Sequence, residues 1–212
     1  MSETVRSTPA RFSILTVCTG NICRSPLTES LLRVGLSQWN VVDVASAGTG
    51  ALVGHPMTEE TIAIAHELGV SDPERHRARA LVTEDLRDTG LVLALTRAHR
   101  REIVGMLPRG SRHTFTLREL ARLLGAVQAA DLKSVAALPP ENTVERFSEL
   151  IDVAASLRGY VKPPENDLDD DVVDPYRRGV EVYRQSAAQL VPATETILRS
   201  FQLAANITPD WA

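Results

Sequence analysis

The chain has 212 residues, of which 43% are hydrophobic and 24% charged, with a formal net charge of -4. That length and balance fit one domain spanning 1–212 with a sizeable core, rather than a disordered chain. No stretch nears the roughly 20 apolar residues of a membrane span, and the N-terminus carries Glu3 and no apolar secretory run, so no membrane partner and a cytoplasmic location are expected. Mild acidity, no basic block and only 4% aromatic residues argue against a nucleic-acid partner. The two cysteines, Cys18 and Cys23, are too few for a disulfide scaffold or a four-cysteine zinc site.

Residues 1–11 read as a flexible lead-in. Phe12 to Cys18 is short, apolar and rich in β-branched residues, and it ends at Gly20, which predicts a buried strand. Ser25-Pro26 opens a helical pattern, since the missing proline N–H would be unpaired in a first turn anyway. Val41 to Gly50 predicts a second strand, and Thr58 to Gly69 a helix closed by glycine. Leu91 to Thr96 is a third strand, followed by an Arg/His-rich helix that ends near Pro108. Ser111 to Leu117 predicts a fourth, short strand. The strand–helix alternation implies a three-layer α/β fold, a four-stranded parallel sheet with helices on both faces. Residues 117–165 then carry three helical stretches broken by Pro139-Pro140, and read as a helical insertion. Glu165 to Tyr176 is acidic and predicts a loop. A long amphipathic helix follows over about Val180 to Ala204, with a kink expected at Pro192.

The strongest signal is the decamer Val17-Cys18-Thr19-Gly20-Asn21-Ile22-Cys23-Arg24-Ser25-Pro26. A cysteine leaves a buried strand, five residues turn, and an arginine stands at a helix start. The backbone N–H groups of Thr19 to Cys23 and the helix N-terminus then form a concave anion site. The positive end of the helix favours a thiolate at Cys18. Arg24 offers a planar fork for two oxygens of a phosphoryl group. Ser25 is placed to hydrogen-bond the sulfur. The five histidines show no metal-ligand spacing, and the chemistry needs neither metal nor cofactor.

This decamer resembles the phosphate loop of the low-molecular-weight protein tyrosine phosphatases. Ser46-Ala47-Gly48-Thr49 is similar to the family's segment after the second strand. His76-Arg77-Ala78-Arg79 with Leu81 and Asp174-Pro175-Tyr176 match further landmarks in the same order. The resemblance implies sheet order 2-1-3-4 and hydrolysis of phosphotyrosine in proteins by a monomer, through a phosphocysteine. Cys18 is then the nucleophile, Arg24 the phosphate clamp and Asp174 the carboxyl group that gives and later takes a proton. Asp174 is singled out only by its Asp-Pro-Tyr context; the acidic residues around it read as solvated surface charges. The resemblance further implies that Asn21 is tied to Ser46 and His76, with Tyr176 beside the site. It leaves Cys23 either as a partner of Cys18 on oxidation or as a small buried residue.

Three rival functions share the motif. Arsenate reduction needs resolving cysteines downstream, and none follows Cys23. Protein arginine phosphatases carry threonine where this chain has Ile22, whose apolar side chain suits a phenyl ring. A catalytically dead phosphopeptide-binding module is disfavoured because Cys18, Arg24 and Asp174 are all present. Several positions depart from the family pattern. Arg75 replaces a common serine, Ala51-Leu52-Val53 lacks a rim aromatic, no aspartate lies near Thr96, and Arg177-Arg178 follow Tyr176 without a second aromatic. The two rim arginines point toward acidic phosphopeptides.

Overall fold

The structure is a computed structural model and describes residues 11–209. Its centre is a parallel sheet in the order β2-β1-β3-β4, built from β1 (Phe12–Cys18), β2 (Val42–Gly48), β3 (Leu91–Ala94) and β4 (Thr114–Thr116). The expected order and direction are therefore confirmed. Side chains alternate across a strand, and β1 shows the consequence. Phe12, Ile14 and Cys18 enter one core, whereas Leu15 and Val17 enter a smaller one on the opposite face. Strand β3 divides likewise, with Leu91 and Leu93 on the first face and Val92 and Ala94 on the second. Both strands are buried on two sides, which is why neither shows a regular polar alternate.

The helices cover the two faces unequally. Helices α1 (Arg24–Gly35), α2 (Glu59–Glu67), α5 (Leu117–Gly125), α7 (Thr143–Ser156) and α8 (Val180–Asn206) supply the larger core. Helices α3 (Thr83–Arg87) and α4 (Arg97–Met106) close the smaller one through Leu86 and Ile103. The larger core is centred on Phe147, which meets Phe12, Trp39 and Phe201 edge to face with ring centroids 4.6 to 5.7 Å apart. Such pairs add about 0.5–1.5 kcal/mol each beyond area burial. At Gly35 a Cβ would stand 2.5 Å from Leu198, so the glycine permits the close approach of α1 to α8.

Several boundaries differ from expectation. Residues 1–10 lie outside the described residues, but Arg11 is anchored: its guanidinium pairs with Asp43 and donates to the Asn40 carbonyl at 2.7 Å. The short helix α3 had no expected counterpart; its N-terminus is held by Asp85 Oδ2, which accepts from the Val82 N–H at 3.1 Å. The stretch between 117 and 158 is helical, completed by α6 (Lys133–Ala136), which extends a 3-10 turn at Ala129–Leu132. The acidic segment is not wholly loop, because Asp167–Asp170 form a 3-10 turn capped by Asn166. Helix α8 runs unbroken through Pro192 to Asn206.

Candidate active site

The loop between β1 and α1 takes its shape from partners for its outward-facing carbonyls. Thr49 N–H donates to the Cys18 carbonyl, Gly50 to Thr19, Leu52 to Gly20 and Thr58 to Ile22, each at 3.0 Å. His76 Nε2 donates to the Asn21 carbonyl at 2.7 Å. With these carbonyls bound, the N–H groups of Gly20 to Cys23 are left without a backbone acceptor among the described residues. Asn21 has φ 55°, in the left-handed region that asparagine tolerates better than most residues. Its side chain is fully buried and satisfied: Nδ2 donates to Ser46 Oγ at 2.8 Å and Ser25 Oγ at 3.0 Å, and Oδ1 accepts from the Arg79 N–H at 2.9 Å.

Behind this tie the network runs on toward the surface, as Ser46 Oγ donates to the Glu29 carboxylate, which also pairs with the exposed Arg33. Gly48 abuts the loop so closely that a Cβ would fall 2.3 Å from the Thr19 carbonyl oxygen. Burial lowers the His76 proton affinity below the ordinary histidine value. A larger cavity of about 460 Å³ lies on this side of the loop, lined by Glu29, Ser46, His76 and Arg79, and includes none of Cys18, Arg24 or Asp174.

On the concave side a cavity of about 130 Å³ gathers Cys18, Thr19, Gly20, Ile22, Cys23, Arg24, Gly50, Leu52, Asp174 and Tyr176. Cys18 Sγ lies 3.0 Å from Ser25 Oγ. Arg24 is 4% exposed. Its Nη1 donates to the Val172 carbonyl at 3.2 Å, and its Nη2 lies 2.9 Å from Asp174 Oδ2. Its Nε is buried without a partner among the described residues, a donor that an oxyanion in the cavity would satisfy. Asp174 itself is about half exposed, and its Oδ1 accepts from the Tyr176 N–H at 3.2 Å. Cys23 and Cys18 are both free thiols, and burial pushes the Cys23 thiol up.

Two features of the site lay outside the sequence reading. His99, on α4, is buried and bridges two hydroxyls: Nε2 is 2.9 Å from Thr19 Oγ1, and Nδ1 is 2.9 Å from Thr96 Oγ1. Its pKa is lowered to about 4, first by burial and then by the Arg24 charge, with Asp174 opposing. It is neutral at pH 7. The only local signal was Thr96 as an N-cap three residues before His99. The second feature concerns Asp170 and Asp171, read as solvated. Instead, Asp170 pairs with Arg122, and Asp171 Oδ1 accepts from the Arg97 N–H at 2.6 Å.

The fold and this turn define a class: parallel α/β proteins with an anion cradle at the C-terminal end of the first strand, beside a topological switch point. Residues 13–152 match the model of the low molecular weight phosphotyrosine protein phosphatases, and the chain belongs to that family. It is 38% identical over 108 residues to the probable low molecular weight protein-tyrosine-phosphatase EpsP of Ralstonia solanacearum, a match covering 51% of this chain and 72% of that protein. It is 44% identical over 96 residues to Etp of Escherichia coli K12, over 45% of this chain and 62% of Etp. Among solved structures, the low molecular weight protein tyrosine phosphatase of T. tengcongensis is 26% identical with a TM-score of 0.60, covering 89% of this chain and 98% of that one. The YwlE arginine phosphatase of Geobacillus stearothermophilus is also 26% identical, with a TM-score of 0.61 over 90% and 93%.

Proposed function

We propose that this chain hydrolyses phosphotyrosine in proteins, in two steps through a phosphocysteine. Cys18 Sγ attacks phosphorus and the bond to the phenolic oxygen breaks. Asp174 gives its proton to that oxygen, so the leaving group departs as neutral tyrosine. The N–H groups of Gly20 to Cys23 and the Arg24 guanidinium hold the three non-bridging oxygens as charge builds on them. In the second step water attacks phosphorus, Asp174 takes a proton from it, and the P–S bond breaks. Ser25 Oγ–H donates to the departing sulfur, releasing inorganic phosphate. The observation that carries this reading is the one small cavity that holds Cys18, Asp174 and Arg24 together, with Arg24 Nε unpartnered among the described residues.

Substrate preference follows from the cavity wall. Ile22 and Leu52 offer apolar flanks for a flat ring, and Tyr176 stands at the mouth. These groups favour phosphotyrosine over phosphoarginine, whose guanidinium would lose its hydration against them. Cys18, Arg24 and Asp174 all come from one chain, so the chemistry needs no second copy, and two free thiols suit a reducing compartment such as the cytoplasm. Turnover of p-nitrophenyl phosphate, a phosphotyrosine peptide and phosphoarginine tests the reading. The wild type should hydrolyse the first two well, and Cys18→Ser should lose at least about 10⁴-fold. Full activity in Cys18→Ser, or a preference for phosphoarginine, would refute it.

A further inference from the structure

The residues leading to Asp174 are held one after another by groups distant in sequence. Asp167 pairs with Arg97 at 2.6 Å, with both side chains well exposed. Asp170 receives two bonds from Arg122, Nη2 to Oδ2 at 2.9 Å and Nε to Oδ1 at 3.4 Å. Here the side chains are only 14% and 27% exposed. Arg122 Nη1 also donates to the Lys162 carbonyl at 3.3 Å, fixing the chain that enters the segment. Asp171 is held at both ends: its carbonyl accepts from Arg118 Nη1 at 2.9 Å, and its Oδ1 from the Arg97 N–H. Helix α4 has no acidic residue in its first turn, so Asp171 brings the missing negative charge from another element. Val172 N–H then donates to the Leu95 carbonyl at 2.9 Å, and Val173 N–H to Gln189 Oε1 at 2.8 Å.

We propose that Arg122 and Asp170, with Arg118 on the Asp171 carbonyl, are positioning residues that set where Asp174 stands above the cavity. The proposal rests on the reading of Asp174 as proton donor. A displacement of about 1 Å in a reacting group lowers rates by up to about 10²-fold. The stem that carries the acid therefore needs contacts that water and salt do not loosen. The exposed Arg97–Asp167 pair is a weak anchor, screened by water and salt. The Arg122–Asp170 pair is two-pronged and sheltered, and so is the member that holds. It also joins α5 and the chain at Lys162 to the catalytic loop, giving the helical stretch before the acid a role in its placement.

The test is kcat/KM for aryl phosphates whose leaving groups run from 2,4-dinitrophenol, which departs without a proton, to phenol, which needs one. Asp174→Asn is the reference and should lose about 10²-fold or more on phenyl phosphate and little on the dinitrophenyl ester. Arg122→Ala and Asp170→Asn should show the same tilt on a smaller scale, about 10-fold on phenyl phosphate and under about 2-fold on the dinitrophenyl ester. The exchanged pair Arg122→Asp with Asp170→Arg should recover part of the loss, and inhibition by inorganic phosphate should be unchanged in the Arg122 and Asp170 variants. Retained dinitrophenyl activity shows that each variant is folded, and Asp170→Asn gives the reading even if Arg122→Ala does not fold. An equal loss along the series, or none, with the Asp174→Asn tilt intact, overturns the proposal. A flat series for Asp174→Asn overturns the acid assignment, and the proposal falls with it.

Discussion

His99 makes the site sensitive to acid through stability rather than through chemistry. Its pKa is about 4 in the folded chain, against about 6.5 for an exposed histidine. Above pH 6.5 neither state binds the proton, and the stabilisation is complete. As pH falls toward 4 the unfolded chain takes up a proton that the folded chain refuses, and the stabilisation is lost. For these two values the linkage relation gives a loss of about 2 kcal/mol at pH 5 and about 3 kcal/mol at pH 4, relative to pH 8. The assay is urea unfolding of the wild type and His99→Gln at pH 8, 6, 5 and 4. Carboxylates and His76 titrate in both proteins and cancel in the difference. The wild type should lead at pH 8, where both hydroxyl contacts are made, and its lead should shrink by those amounts. A lead independent of pH would refute the reasoning, as would an NMR titration of the His99 ring with a midpoint above 6.

Gly48→Ala should destabilise by about 1–3 kcal/mol and lower kcat, because the new methyl meets the Thr19 backbone oxygen rather than a movable side chain. Gly105→Ala in α4 is the control: no atom lies within 4 Å of its added Cβ, and thermal unfolding should show a gain of up to about 1 kcal/mol. Arg146 is 1% exposed, and its guanidinium donates to the carbonyls of Leu138, Pro139, Ala204, Ala205 and Ile207, closing the end of α8 with no carboxylate partner among the described residues. Arg146→Met should therefore lose about 3 kcal/mol or more in urea unfolding, as several buried acceptors are left unpaired at once. A loss under about 1 kcal/mol would contradict that account.

The strands, the phosphate loop and the long helices were legible because each is fixed by neighbours in sequence: apolar runs, a glycine after Cys18, a proline in the first turn of α1. The contacts that hold the segment before Asp174 were not. Asp170 and Arg122 are 48 positions apart, and Asp171 and Arg97 are 74 apart. Nothing in Asp169-Asp170-Asp171 distinguishes a buried partner from a solvated charge. Arg146 was hidden in the same way, as an ordinary helix arginine until α8 is laid beside it. His99 is a different case, because topology would have found it. Order 2-1-3-4 makes β1 and β3 parallel neighbours, with Val17 opposite Ala94 and the Leu95 N–H bound to the Val17 carbonyl. Whatever follows β3 then lies beside whatever follows β1. Thr96 caps the next helix, and one turn on, His99 faces back toward Thr19. A polar residue just past the third strand is thus a candidate for the phosphate loop of any chain with this strand order. No aspartate stands near Thr96 in the sequence, and Asp171 reaches that helix start from the segment before Asp174 instead.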